Sequence, residues 1–392
     1  MPGFELFGDL EKKHVSDVLE SGILMRYNFD SMRNGHWKAK EFEEKLSSKL
    51  NVDFTHLCSS GTAALSIALA SCGIGKGDEV IVPPFTFVAT IEAIIAAGAM
   101  PVFSDIDKTL CLDPDLLESK ITKKTKAIMP VHMCGAMADI NKIKNICEKN
   151  SLILIEDACQ AIGASINNVY AGTFGDMGCF SFDFVKTITC GEGGAVVTNK
   201  KELYENAHAF SDHGHDHIGN DRGKENHPFP GLNFRISELN AAVGVAQLER
   251  FDEIISIQRK NKQILKNELK DLKNIELRQI IDEKGDNGGF LSFFTEDENA
   301  ARKILENLNK NKADGTFYWY DNNWHYLRKW DHFKEKVSLY KTEFSEFFNP
   351  ETINIKKSDE IMKRTLSMLI KLSWTEEEME KRVEALKKSV NI

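Results

Sequence analysis

The chain has 392 residues, of which 42% are hydrophobic and 28% are charged, and its formal net charge is -9. This composition is typical of a globular protein. The negative charge argues against nucleic acid or an anionic membrane surface as the main partner. A chain of this length predicts one large domain and one smaller domain.

The eight cysteines are scattered and form no CxxC pair. We therefore expect neither a zinc site nor a disulfide framework, and reduced cysteines are typical of the cytoplasm. The first residues, MPGFELFGDLEKK, are acidic and amphipathic and do not resemble a signal peptide. The longest apolar stretch, around residues 91–103, is interrupted by Gly98 and Pro101 and is too short to span a bilayer. These features predict a cytoplasmic protein without a membrane segment.

Short apolar runs alternate with helical stretches from about Thr55 to Thr198. The strands are predicted in DEVIVPP, MPVFSDID, KAIMPVHMCG, LILIEDA, GDMGCFSFD and GGAVVTN. Alternation of continuous apolar strands with helices predicts a mainly parallel sheet covered by helices on both faces. In such sheets ligands bind at the carboxyl ends of the strands.

After about residue 248 the chain becomes rich in Lys and Glu, with amphipathic helices separated by short apolar strands such as GGFLSFFT. We therefore predict a large domain in residues 1–248 and a small α+β domain in residues 249–392. One long helix from about Ile236 to Leu272 is predicted to connect them.

Small residues open a strongly helical run in CSSGTAALSIALA. The N–H groups at such a helix start, here Ser60, Gly61 and Thr62, suit a phosphate. A plain N-cap by Ser60 or Thr62 explains the same pattern. The sequence alone leaves both interpretations open.

Three further positions lie where a ligand would bind. Asp157 follows the strand LILIE, with Gln160 three residues later, and could either hold a cationic nitrogen or cap the next helix. Phe87 follows PPFT at a strand-to-helix junction, where an aromatic ring could cover a planar ligand or belong to the core.

A lysine lies between two predicted strands in FSFDFVKTITCGEGGAVVT. Buried lysines are costly, so Lys186 either reaches solvent or has a chemical use. A lysine in a partly desolvated site has a lowered pKa and a nucleophilic neutral form. Together with Ser181, a phosphate site, an acid and an aromatic ring, it completes the set of groups that binds pyridoxal 5'-phosphate (PLP).

The run IEDACQAIGA…GTFGDMGCFSFDFVKTITCGEGGAVVT resembles the signature of the DegT/DnrJ/EryC1/StrS sugar aminotransferases, and the resemblance extends over almost the whole chain. It implies an α/β fold of the aspartate aminotransferase type, PLP fold type I. That fold has a large domain with a mainly parallel, seven-stranded sheet and a smaller α+β C-terminal domain. The resemblance also implies PLP as cofactor and a homodimer with active sites at the interface.

The resemblance assigns roles to individual residues. Lys186 would form the Schiff base with PLP, and Asp157 would pair with the pyridinium nitrogen; these two are the catalytic residues. Gln160 would lie near the ring hydroxyl, and Phe87 would cover the ring. The phosphate would be held by Ser60, Gly61, Thr62 and Ser181 and, from the partner subunit, by Asn233. The dehydratases of the family replace the lysine with histidine, so Lys186 favours transamination.

Several segments, including MPGFELFG, RYNFDSMRN, SDHGHDHIGNDRG and SMLIKLSWT, resemble the octulosonate branch of the family. Its members transfer the amino group of L-glutamate to the C8 aldehyde of oxidised 3-deoxy-D-manno-octulosonate (Kdo), giving Kdo8N for lipopolysaccharide. The alternative is a nucleotide-keto-sugar aminotransferase of the same family. Both substrates of the octulosonate reaction carry carboxylates, so cations are expected in the cleft. The candidates are Arg26, His215, His217 and Arg222.

Two clusters remain open to more than one interpretation. SDHGHDHIGNDRGKENH is rich in histidine, the commonest metal ligand, but it has no known metal-binding pattern and PLP chemistry needs no metal. We therefore predict a substrate loop there and no metal site. GTFYWYDNNWHYLRKW is rich in aromatic residues, which could stack on a sugar or pack the small domain and the dimer interface.

Overall fold

The computed structural model describes residues 3–219, 221–335 and 350–390. Its strands are β1 Phe54–Cys58, β2 Glu79–Val82, β3 Met100–Phe103, β4 Thr125–Ile128, β5 Ile153–Asp157, β6 Ser165–Ile166, β7 Val169–Tyr170, β8 Met177–Ser181, β9 Gly194–Thr198, β10 Ile275–Leu277, β11 Phe290–Thr295, β12 Thr316–Tyr318 and β13 Thr365–Leu369. Its α-helices are α1 Asp9–Ser21, α2 Lys38–Leu50, α3 Gly61–Ser71, α4 Ala89–Ala96, α5 Pro114–Leu117, α6 Ile140–Asn150, α7 Lys201–Phe210, α8 Glu238–Glu249, α9 Phe251–Leu269, α10 Glu298–Lys310, α11 Asp331–Lys334, α12 Lys356–Met362 and α13 Glu376–Val390.

The large sheet has seven strands in the order β1–β9–β8–β5–β4–β2–β3. Strands β3, β2, β4, β5 and β8 are parallel to one another, whereas β9 is antiparallel to both β8 and β1. The apolar runs of the parallel strands arise because helices cover both faces of the sheet. The predicted α/β fold with a mainly parallel sheet is confirmed.

Two apolar clusters fill the space between the sheet and its helices. One cluster contains side chains of α2, α6 and α8, and the other contains side chains of α3, α4 and α7. Helix α3 is apolar almost all round, which is typical of a helix buried on all sides. Its buried start therefore lies inside the molecule, next to the ends of the strands.

The C-terminal part forms a second, four-stranded antiparallel sheet in the order β10–β11–β13–β12. Side chains of α9, α10 and α13 complete its core. This smaller α+β unit confirms the predicted class of the second domain, whereas the boundary at residue 248 stays a prediction. No α-helix among the described residues is both long and apolar enough to cross a membrane.

The predicted continuous helix from Ile236 to Leu272 is wrong, because the chain forms α8 and α9 with a break at Arg250. The backbone of Arg250 (φ -99°, ψ 12°) leaves the α-helical conformation, and its N–H donates to Gln247 O. Its guanidinium group donates hydrogen bonds to Leu6 O and to Glu11. These contacts join Arg250 to residues of the N-terminal region that are far away in sequence, so helical periodicity could not predict the break.

We predict that Phe42→Ala strongly destabilises the large domain. Phe42 on α2 is fully buried, and its ring centroid lies 5.0 Å from that of Phe182, so the substitution leaves a cavity beside the loop after β8. The free energy of unfolding should fall by about 3–5 kcal/mol, measured by urea denaturation. Leu19→Ala on exposed α1 is the control, with an expected change within about 0.5 kcal/mol. Equal effects of the two substitutions would contradict the prediction.

Candidate active site

The loop that carries Lys186 joins two neighbouring strands of the large sheet, β8 and β9. Phe182 and Ile188 anchor it in the core, because both are fully buried. Between them the chain turns outward, and the N–H of Lys186 donates to Asp183 O at 2.9 Å. Phe184 and Val185 at the tip are more than half exposed, and Lys186 is half-buried. The lysine is therefore neither a core residue nor a freely solvated one.

Lys186 lines a cavity of about 450 Å³ at the carboxyl ends of β5 and β8. The cavity brings together eight of the nine residues that the sequence predicted to bind the cofactor. These are Ser60, Gly61, Thr62, Phe87, Asp157, Gln160, Ser181 and Lys186. Asn233, the ninth of these residues, does not line the cavity of its own chain. The roles of these residues toward a cofactor stay predictions, but their convergence on one cavity is a property of the fold.

The carboxylate of Asp157 is held by two donors at the end of β5. Its Oδ2 atom accepts a hydrogen bond from Thr90 Oγ1 at 2.8 Å, and its Oδ1 atom accepts one from the N–H of Cys159 at 3.1 Å. Gln160 Oε1 accepts from the N–H of Cys134 at 3.2 Å. Both side chains are buried and fixed in orientation, so Asp157 presents a pre-oriented negative charge to the cavity.

Helix α3 begins beside the cavity, close to the end of β8. Ser60 caps this helix, because its Oγ atom accepts from the N–H of Ala63 at 3.0 Å. A Cβ atom at Gly61 would lie 2.7 Å from Ser181 Cβ, so only glycine lets the helix approach β8 this closely. The first-turn N–H groups of an α-helix have no partner within the helix. Those of Gly61 and Thr62, beside Ser181, form a cradle that suits an anion.

Phe87 lies between the lysine and an aromatic segment of the C-terminal part. Its ring centroid lies 5.6 Å from that of Trp324 and 5.4 Å from that of His325, and Lys186 Nζ lies 6.0 Å from it. The backbone of residues 86–88 is joined to Trp324 and His325 by two hydrogen bonds. An aromatic wall therefore borders the cavity next to the amine.

In the structure, some residues of the aromatic cluster FYWYDNNWHYL line the cavity and others belong to the core. Trp324, which is more than half exposed, and His325 line the cavity, whereas Trp319 and Tyr326 are buried in the core. Burial and the positive charge of Lys186 lower the pKa of His325 to about 3, so its ring is neutral at physiological pH. Its Nδ1 atom lies 2.9 Å from Asn322 Oδ1, which assigns the proton to Nδ1 and leaves Nε2 as an acceptor.

Sequence reasoning missed several residues that line the cavity. Thr90 contacts Asp157 across 67 positions of the chain, and no local motif marks such a contact. His325 was visible only as a member of an aromatic cluster. The other cavity residues that the sequence did not single out are Leu65, Thr86, Ala89, Val131, Cys159, Asp183, Val185 and Glu192.

The predicted substrate cations do not line this cavity. Arg26 is buried against Glu43, and its Nη1 atom donates to Leu57 O at 3.0 Å, so this guanidinium group is engaged within the chain. Asn233 forms an isolated bridge with Asp212. Of the remaining candidates in the loop after α7, His217 and Arg222 lie against the Asp212 carboxylate, whereas His215 lies against Glu225.

Asp212 is the centre of a polar cluster, which we call the Asp212 cluster and which also contains Arg222, Arg235 and His217. Arg222 donates two hydrogen bonds to the Asp212 carboxylate, at 2.8 and 3.1 Å, and Arg235 donates another. Burial raises the pKa of Asp212, but the hydrogen bonds from these two arginines outweigh it and lower the pKa to about 2. Burial lowers the pKa of His217 to about 4. In the described residues, no group of three His, Cys, Asp or Glu side chains is arranged to hold a metal ion.

Comparison with known proteins identifies the family. The model of the DegT/DnrJ/EryC1/StrS aminotransferase family matches residues 8–387. The chain belongs to this family. GDP-perosamine synthase from Vibrio cholerae is 36% identical over 341 residues, which are 84% of this chain and 86% of that protein. L-glutamine:2-deoxy-scyllo-inosose aminotransferase from Streptomyces kanamyceticus is 37% identical over 257 residues, 60% of this chain and 59% of that protein.

A solved structure of the family shows the cofactor. GDP-4-keto-6-deoxy-D-mannose-3-dehydratase from E. coli, with bound hydrated PLP, is 26% identical and has a TM-score of 0.83 over 97% of each chain. The protein described here is a PLP-dependent transaminase of fold type I. Its cavity fits the cofactor, because an amine, a fixed carboxylate, an aromatic wall and an anion cradle surround one space.

We predict that Asp212 stabilises the fold in a pH-dependent manner. Its pKa in the folded state, about 2, is below the ordinary value of 3.8. The stabilisation of about 2 kcal/mol is therefore fully present above pH 3.8 and is lost as the pH falls through 2. Asp212→Asn should lower the urea midpoint at pH 5 to 7, and the difference from the wild type should narrow at pH 3. Asp271→Asn on the exposed surface is the control, with no difference at any pH. A difference that stays constant down to pH 3 would contradict the assignment.

Proposed function

We propose that this enzyme transfers the amino group of L-glutamate to the carbonyl group of a sugar, with Lys186 as the attachment point of PLP. The observation that carries this proposal is the convergence of Lys186, Asp157 and the Gly61–Ser181 cradle on one cavity. The carboxylate of Asp157 lies at the end of β5, Ser181 lies at the end of the neighbouring parallel strand β8, and the amine of Lys186 follows in the loop after β8. This arrangement lets one cofactor contact all three groups.

When bound, PLP supplies an electron sink for the charge that develops when a substrate carbon loses a proton. Asp157 holds a proton on the ring nitrogen, and its own orientation is held by Thr90 and by the N–H of Cys159. Lys186 Nζ would take the proton from the substrate Cα as a general base and would later give it up as a general acid. Phe87 and Trp324 exclude water from one side of the cavity.

The anion cradle would hold the phosphate by Ser181 Oγ and by the backbone N–H groups of Gly61 and Thr62 at the positive end of α3. Gln160 would lie near the ring hydroxyl. We propose that Asn233 completes the phosphate site from the partner subunit of a homodimer. Large apolar side chains at the tip of the lysine loop and near Asn233 support a covered surface there, because Phe184, Val185, Ile218 and Leu232 are all more than half exposed.

The relatives favour a nucleotide-linked keto-sugar as the acceptor, because two of the similar proteins are named for GDP-sugars. The relative named for 2-deoxy-scyllo-inosose is named for an acceptor without a nucleotide. We therefore propose a nucleotide-linked keto-sugar as the first candidate. The octulosonate aldehyde that the sequence resemblance implies is the second candidate.

One structural observation supports the second candidate. The Asp212 cluster contains two guanidinium groups, Arg222 and Arg235, against one carboxylate. Guanidinium groups suit the carboxylate of a free acidic sugar, since they bind carboxylates in a bidentate manner. The cluster lies outside the cavity of its own chain, so in this proposal it acts on the site of the partner subunit.

We predict that Lys186 carries the cofactor covalently. Borohydride reduction of the purified enzyme should fix PLP to the peptide that contains Lys186, as detected by mass spectrometry. Addition of L-glutamate before reduction should release the cofactor from that peptide and abolish the visible absorption band. Lys186→Ala should lack the band and the labelled peptide, whereas Lys201→Ala, an exposed lysine of α7, should retain both. Survival of the band in Lys186→Ala would refute the proposed role.

We predict that an acceptor assay separates the two substrate candidates. Purified enzyme and L-glutamate should be assayed with GDP- and UDP-linked keto-sugars and, separately, with the C8 aldehyde of Kdo. The first candidate requires turnover of a nucleotide-linked sugar. The second requires turnover of the Kdo aldehyde and a fall in kcat/KM of about 10- to 100-fold in Arg222→Gln, the loss expected for a charged hydrogen bond. Turnover of neither class would refute the proposed sugar acceptor.

A further inference from the structure

The segment Gly3–Phe7, which we call the N-terminal strap, contacts the loop of Lys186 directly. We propose that the strap is a positioning element of the active site that holds the backbone of Lys186 in place. This inference rests on the proposed role of Lys186 and adds a function for the strap, whose described residues are not among those that line the cavity.

The first contact joins the backbone of the strap to that of the lysine. The N–H of Gly3 donates to Lys186 O at 3.1 Å. A Cβ atom at Gly3 would lie 2.5 Å from Thr187 O and 2.3 Å from Gln247 Oε1. The strap therefore lies against the peptide bond that follows Lys186, and only glycine leaves room for this approach.

The second contact joins two aromatic rings. Phe4 stacks on Phe184, with ring centroids 4.5 Å apart and an angle of 13° between the planes. Phe184 lies two residues before Lys186 at the exposed tip of the loop. The strap thus contacts the loop on both sides of the lysine, at Phe184 and at Lys186–Thr187.

Within one chain, the tip of the loop is closed mainly by the loop's own hydrogen bonds. The N–H groups of Val185 and Lys186 both bond back to Asp183 within the loop, at 3.0 and 2.9 Å. An exposed turn closed only on itself holds a side chain less precisely than a strand or helix does. The hydrogen bond and the ring contact from the strap supply the external support.

The strap is anchored to the junction of α8 and α9. Arg250 donates to Leu6 O and, at 2.9 Å, to Glu11 Oε2. Glu11 Oε1 accepts from Gln247 Nε2 at 2.9 Å, and the Glu11 side chain is almost fully buried. Because the same Gln247 packs against Gly3, these anchors fix the strap at the position where it meets the lysine loop.

Positioning matters for this lysine because, as the proposed general acid and base, its Nζ atom must come within hydrogen-bond distance of the proton that it moves. A displacement of about 1 Å at a reacting group can cost about 100-fold in rate. A loosened strap should therefore lower kcat, whereas substrate affinity should change little.

The test compares two glycine substitutions, one at the first residue of the strap and one at the residue that directly follows it. Gly3→Ala places a methyl group against Thr187 O and should break the hydrogen bond to Lys186. Gly8→Ala is the matched control, because a Cβ atom at Gly8 meets nothing within 4 Å. Hydrogen–deuterium exchange is measured by mass spectrometry on the full-length enzyme as purified.

In Gly3→Ala, amide exchange in residues 183–190 should accelerate about tenfold, the change that corresponds to the loss of one hydrogen bond. Exchange in α2 and α3 should remain as in the wild type, and Gly8→Ala should match the wild type throughout. Unchanged exchange in residues 183–190, or equal acceleration throughout the large domain, would overturn the proposal.

Phe4→Leu provides a second variant that keeps an apolar side chain and removes the stacked ring. It should lower kcat about threefold to tenfold with a KM for L-glutamate within about twofold of the wild type. An unchanged kcat or a rise in KM alone would count against the strap. The exchange result does not depend on turnover. The inference about the strap can therefore fail while the borohydride test still supports Lys186, and the borohydride test can fail while the exchange result still supports the strap.

Discussion

Helix α3 begins so close to the end of β8 that a side chain at Gly61 would overlap Ser181. The rest of the active site depends on this approach. It places the first-turn N–H groups of the helix beside a serine hydroxyl, and the chain continues from that serine directly into the loop of Lys186. The distance between the anion cradle and the amine is therefore set by a few residues of one strand and one loop. A larger residue at position 61 would push the start of α3 away from Ser181 and would therefore change the distance between the anion cradle and the lysine.

The parallel strands supply the second constraint. β5 and β8 are neighbours in the sheet, so Asp157 and Ser181 end side by side at the same edge. A buried carboxylate there needs donors, and Thr90 with the N–H of Cys159 provides them. The neutral His325 and the half-buried Lys186 border the same space. The cavity thus combines fixed charge on the side of the sheet with apolar rings on the side of the C-terminal part.

Much of this site was predictable from local patterns. Lys186, Ser181 and Asp157 stand next to apolar strands, and strands of that kind end at one edge of a parallel sheet. Ser60 was predicted either as a cap or as a phosphate ligand, and the structure shows that it caps α3 while it also lines the cavity. Thr90 and His325 were not predicted, because their contacts join segments far apart in sequence. The break at Arg250 was missed for the same reason, since the contacts that stabilise it come from the N-terminal region.

The sequence by itself indicated the class of the fold, through strand periodicity, and the resemblance to the family, through a motif of continuous residues. It also indicated eight of the residues that line the cavity. Only the tertiary structure decided which partners the predicted substrate-binding cations have. The sequence predicts Arg26 as a substrate ligand, but in the structure its side chain is buried against Glu43. The tertiary structure also showed that the N-terminal strap reaches the lysine loop. Ion pairing and packing between distant segments depend on the whole fold, and no local pattern encodes them.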